Sequence, residues 1–154
     1  MATFISHSPA ETEALGETWS REAQRGWIIG LSGDLGAGKT QLVKGLARGL
    51  NVPGRIQSST FALVNEHRGG RLPLFHIDLY RLETRDQIIG AGLEPYLSRP
   101  DGITVVEWIE RWLGPSEIGT RTGPMAGQGR CFRRVHIGLL GETDREIHYE
   151  DFGT

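Results

Sequence analysis

The sequence predicts an α/β fold: a mostly parallel central sheet with antiparallel edge strands, layered between helices as one three-layer domain over residues 1–154. Three stretches carry that prediction. Residues 27–32, Trp27-Ile28-Ile29-Gly30-Leu31-Ser32, form a short apolar run of the buried-strand type, and Leu42, Val43, Leu46, Ala47 and Leu50 follow at helical spacing. Ile103-Thr104-Val105-Val106-Glu107-Trp108 is a β-branched run suited to a central parallel strand. Arg134 to Leu140 and Arg145 to Tyr149 alternate across a turn at 141–144, as two antiparallel edge strands would.

Between the first strand and its helix stands Gly33-Asp34-Leu35-Gly36-Ala37-Gly38-Lys39-Thr40, which fits the pattern G-x-x-x-x-G-K-[ST] without a mismatch. Only Lys39 and Lys44 are lysines, so glycine abundance alone does not produce the match. Glycines let successive N–H groups turn inward on phosphate oxygens, and the helix that follows adds its positive end. Lys39 is expected to bridge the outer phosphates and the Thr40 hydroxyl to ligate Mg²⁺. The fold class sharpens accordingly to a P-loop NTPase-like domain. Its candidate nucleotide-binding residues are Gly33, Asp34, Leu35, Gly36, Ala37, Gly38, Lys39, Thr40 and Gln41.

In chain order, Thr3 to Ser6 reads as an edge strand. A helix over 10–24 follows, with Ser8 at the N-cap, Pro9 at the first helical position and Glu11 at the third. Ser8 to Thr12 can either border a base or merely open a covering helix. After Asn51-Val52-Pro53-Gly54, the polar turn Gln57-Ser58-Ser59-Thr60 leads into a strand at 61–66; it serves as a phosphate-sensing switch or as plain turn punctuation. Arg68-Gly69-Gly70-Arg71 turns into Leu72 to Tyr80, an apolar strand that reaches an acid at Asp78, and 103–107 reaches an acid at Glu107. Both acids fall at carboxyl ends of strands, where ligands bind in open sheets; either suits the metal or the attacking water. A short helix is expected at 83–89, an irregular connection at 90–100, a packed helical face from Trp108 and Trp112, and an exposed flexible loop at 114–132.

Composition narrows the classes. A net charge of −2 and a pI near 6.2 give no general attraction for nucleic acid, so contact with RNA is expected to run through a partner. Cys131 is the only cysteine, which excludes an internal disulfide and a cysteine metal cluster and points to a reducing compartment. No apolar run approaches ~20 residues, so no membrane helix is expected and the location expected is cytoplasmic.

Four ordered blocks then resemble one family. Gly33 to Thr40, Ser58 to Val64, His76-Ile77-Asp78-Leu79-Tyr80-Arg81-Leu82 and Val106-Glu107-Trp108 are similar in order and spacing to the TsaE (YjeE-like) ATPases, over roughly residues 5–113. The resemblance implies a Mg²⁺-dependent ATPase required for threonylcarbamoyladenosine beside the tRNA anticodon, working in complex with TsaD-like and TsaB-like proteins, its link to tRNA indirect. It also implies that Thr40 and Glu107 bind Mg²⁺, that Lys39, Asp78 and Glu107 are catalytic, that Thr60 lies in a switch-like loop, and that Trp108 and Arg145 border the nucleotide. Ser59 stands where the family usually has proline, which would pre-set the backbone. The competing enzyme class is a P-loop kinase of a small metabolite. A GTPase is disfavoured because neither lysine sits in [NT]-K-x-D.

Overall fold

A computed structural model describes residues 2–33, 38–53, 64–113 and 132–152. The expected phosphate-loop residues Asp34, Leu35, Gly36 and Ala37, the expected switch residues 58–63 with Thr60, and the loop expected at 114–132 up to Cys131 lie outside the described residues.

The chain runs β1 (Ala2–Ser6), α1 (Pro9–Glu22), β2 (Ile28–Gly33), α2 (Lys39–Gly49), β3 (Val64–His67), β4 (Leu74–Asp78), α3 (Arg85–Gly90), α4 (Glu94–Ser98), β5 (Ile103–Glu107), a 3₁₀ turn (Ile109–Arg111), β6 (Phe132–Leu139) and β7 (Arg145–Phe152). Among the described residues the strands form one mixed sheet of seven, in the order β1-β7-β6-β2-β5-β4-β3. The four central strands run parallel, and β1, β7 and β3 are joined by antiparallel pairings.

The expected terminal hairpin is corrected in one respect. Its first strand is not an antiparallel edge: β6 lies in parallel register with β2, Gly33 beside Ile137, and β1 occupies the edge beyond β7. Buried residues on both faces of β6, Phe132 on one and Val135 and Ile137 on the other, explain the inward position. Phe132, expected as the end of the loop, opens this strand.

Alternation along the strands feeds two cores. Ile29, Leu31, Leu74, Ile103, Val105, Val135 and Ile137 face α1 and α2; Ile28, Ile77, Val106 and Phe132 face α3, α4 and the 3₁₀ turn. All five residues of β5 are buried, the pattern of a strand covered on both faces.

Ser8 caps α1 as expected, accepting from the Glu11 N–H, with Pro9 at the first position. Thr84 caps α3 in a full capping box with Gln87, and α4, buried through Leu97, occupies part of the connection expected to be irregular. Five residues are too few to display helical periodicity, and only contact with the second core reveals α4.

α1 and α2 pack with their backbones nearly touching. A Cβ on Gly45 would lie 2.0 Å from the Glu13 carbonyl oxygen, and one on Gly16 would lie 2.4 Å from that of Leu42. This seam fixes the start of α2 relative to the start of α1, and both starts face the site.

Candidate functional site

α2 begins at Lys39 with Gly38 as its N-cap, at φ 101°, a conformation that favours glycine. Among the described residues no side chain caps this end, so the first-turn N–H groups are available to an anion. Lys39 is 5% exposed, and its ammonium donates to the Gly33 carbonyl at 3.1 Å and sits 4.5 Å from the centroid of the Trp108 ring. An aromatic face and one carbonyl hold the charge at the start of α2.

Both strand-end acids arrive at the same place. Asp78 and Glu107 are register partners on parallel β4 and β5. Burial pushes the Asp78 carboxyl above its usual range, opposed by the Tyr80 N–H that it accepts at 3.0 Å; nearby Glu107 raises it further, while His76 and Lys39 pull it down. Glu107 is 6% exposed and its Oε2 lies 2.6 Å from Nε2 of fully buried His76.

These groups line one cleft of about 470 Å³, together with Ser8, Pro9 and Thr12 from α1, Gly38, Thr40 and Gln41 from α2, and Tyr80, Trp108, Glu142, Thr143 and Arg145. Arg145 donates to the carbonyls of Gly141, Glu142 and Asp144, which shapes the 141–144 turn against the cleft. Of the residues expected at the site, Gly38, Lys39, Thr40, Gln41, Asp78, Glu107, Trp108 and Arg145 meet here, and Gly33 joins them through its bond to Lys39.

Trp108 and Trp112 do not share a helical face. Trp108 adopts φ 63°, ψ 45°, and only a 3₁₀ turn follows; Trp112 is buried in the second core while Trp108 turns to the cleft. A left-handed residue breaks the helical spacing on which the sequence argument relied. Tyr80, 51% exposed, tilts over Trp108 at a centroid distance of 5.2 Å. Tyr80, His76, Glu142 and Thr143 escaped sequence reasoning. Alternation along β4 was the available signal for His76, which must share a face with Asp78.

Metal chemistry can be tested on the donor set. Among the described residues no three His, Cys, Asp or Glu side chains cluster as a metal cage. The cleft instead brings the Thr40 hydroxyl at the start of α2 together with the strand-end carboxylates of Asp78 and Glu107, hard oxygen donors that suit Mg²⁺ shared with phosphate and water. The residues therefore fit a nucleotide-borne Mg²⁺.

Residues 6–125 match the family described as "Threonylcarbamoyl adenosine biosynthesis protein TsaE". The chain belongs to the TsaE family. It is 50% identical over 103 residues to the tRNA threonylcarbamoyladenosine biosynthesis protein TsaE of Synechocystis, covering 65% of each chain. With the TsaE protein of Bacillus subtilis it shares 41% identity over 149 residues, covering 95% of this chain and 83% of the relative. The matched stretch spans 65% of the Synechocystis protein and 59% of the Nostoc relative. The crystal structure of YdiB from Bacillus subtilis superposes with a TM-score of 0.71 at 30% identity, covering 96% of this chain and 83% of that one. No helix among the described residues is long and apolar enough to cross a membrane.

Proposed function

We propose that this P-loop NTPase-like chain is the Mg²⁺-dependent ATP-binding and hydrolysing component of threonylcarbamoyladenosine formation in tRNA, acting in the cytoplasm with TsaD-like and TsaB-like proteins. The observation that carries the reading is the convergence of Lys39, Thr40, Asp78 and Glu107 on one cleft at the uncapped start of α2. Membership of the TsaE family supports the biological role. The net charge of −2 supports tRNA contact through the partners rather than through this chain alone.

In this reading the α2 N–H groups and Lys39 bind the phosphates, the ammonium leaving the Gly33 carbonyl for the outer oxygens. Thr40 and Glu107 hold Mg²⁺, which supplies positive charge against the phosphate oxygens. Asp78, with its raised proton affinity, orients the attacking water and accepts its proton. Trp108 and Tyr80 flank the nucleotide on one side; Ser8, Pro9, Thr12 and Arg145 flank it on another. Hydrolysis by the isolated domain is slow in this reading, and a partner would complete the charge clamp.

The test is ATP hydrolysis by the purified chain, alone and with the TsaB–TsaD pair of the same organism, beside Lys39→Ala. Stimulation that Lys39→Ala lacks is expected. Neither stimulation nor co-elution with the pair would overturn the tRNA-modification reading and return the kinase of a small metabolite to first place.

A further inference from the structure

His76 is absent from the functional reading above, yet it is the closest partner of the acid assigned to the metal. Its ring is fully buried beneath the cleft, and Nε2 lies 2.6 Å from Glu107 Oε2. A carboxylate only accepts, so Nε2 carries the proton and donates it. The other ring nitrogen, Nδ1, is buried and has no hydrogen-bond partner among the described residues. A buried imidazole with a single bond is tolerated where that bond matters, since Leu at an interior strand position would meet no such cost. His76 and Glu107 sit on adjacent parallel strands, and β5 is covered on both faces, so neither backbone can shift independently.

The consequence is geometric. One Glu107 oxygen is tied down by His76 while the residue lines the cleft, so the bond restricts how the carboxylate can turn there. We propose that His76 is a positioning residue for the metal-binding carboxylate: it holds Glu107 in the orientation that takes Mg²⁺ with the nucleotide, as outer partners do for metal ligands elsewhere. The inference rests on the assignment of Glu107 to the metal made above.

The test uses the full chain and separates nucleotide from metal. ADP binding is followed by fluorescence of Trp108, whose ring lines the cleft, first without divalent ion and then across a Mn²⁺ or Mg²⁺ titration. His76→Leu fills the volume without the donor; His76→Gln returns an N–H near the same place. The expected result for His76→Leu is metal-free ADP binding within twofold of wild type and a metal midpoint raised about 10–100-fold. His76→Gln is expected to recover a large part of that shift. A His76→Leu midpoint equal to wild type would overturn the proposal and leave the assignment of Glu107 standing. A wild-type protein whose ADP binding ignores the metal would overturn both. Parallel loss of metal-free binding and metal response in both variants would also overturn it, by making His76 a packing residue only.

A second measurement stands if His76→Leu fails to fold. In the wild-type protein the His76 Nε2 proton should appear far downfield in the proton NMR spectrum and slow to exchange. Glu107→Ala should remove that signal; its persistence in Glu107→Ala would overturn the proposal.

Discussion

Gly45→Ala adds one methyl group to the seam between α1 and α2, and its effect can be worked from the distances. The new Cβ would stand 2.0 Å from the Glu13 carbonyl oxygen and 2.8 Å from its carbonyl carbon, against ordinary contact at 3.4 Å and beyond. α1 must therefore retreat by about 1.4 Å, the difference between 3.4 and 2.0. No rotamer relieves the clash, because every atom met is backbone. Nor can the helices pivot, since Gly16 and Gly49 also leave no room for a Cβ on the same seam, 2.4 Å to Leu42 O and 2.5 Å to Glu17 O. Overpacking of this kind costs about 1–3 kcal/mol, here at the upper end, offset by about 1 kcal/mol of better helix propensity. The net loss of about 2 kcal/mol lowers Tm by about 4–8 °C in a chain of this size. Calorimetry or the far-UV circular dichroism melt reads it directly.

The functional consequence follows from the same seam. Retreat of α1 moves Ser8, Pro9 and Thr12 away from Lys39 and Thr40, so ADP affinity should fall well below the melting range. Gly90→Ala is the control. It lies in the last turn of α3 with nothing within 4 Å of an added Cβ, and should raise stability by about 0.5–1 kcal/mol. A Gly45→Ala protein as stable as wild type, or more so, would refute the close-packed seam.

Asp78→Asn should separate stability from activity. The folded proton affinity of Asp78 is raised, so its contribution is most favourable below the unfolded value near 3.8 and is lost as pH rises through the folded value. At neutral pH the asparagine variant should thus melt higher than wild type while losing hydrolysis, the gain disappearing below about pH 4; a lower neutral Tm would contradict the burial of this carboxylate. Ser8→Ala removes the α1 cap and should cost about 1 kcal/mol, or about 2–4 °C, in the same melts. Glu107→Ala should keep part of the nucleotide binding and lose metal-dependent hydrolysis, and equal hydrolysis by both proteins would remove Glu107 from the metal site.

Local chemistry was legible without coordinates wherever it was short in range. The Ser8–Pro9 start of α1, the buried run of β5, the glycine turn between β3 and β4 and the phosphate-loop pattern all follow from backbone preference, caps and periodicity. Those signals sit within a few residues, so a sequence displays them whole. Lys39, Asp78 and Glu107 were likewise recognisable, because strand ends and glycine-rich turns mark themselves.

Tertiary structure decided what depends on neighbours distant in the chain. Strand order placed β6 beside β2 inside the sheet, a choice set by which faces must be buried rather than by alternation within the hairpin, while β1 took the edge position expected of residues 3–6. Register brought Asp78 opposite Glu107 and laid His76 against it, a contact across 31 residues that no spacing rule encodes. The left-handed backbone at Trp108 sent one tryptophan to the cleft and left Trp112 in the core, although their spacing suggested a shared face. Sequence thus determined which groups could do phosphate chemistry. Packing alone determined which of them meet and which buried side chain holds the acid still.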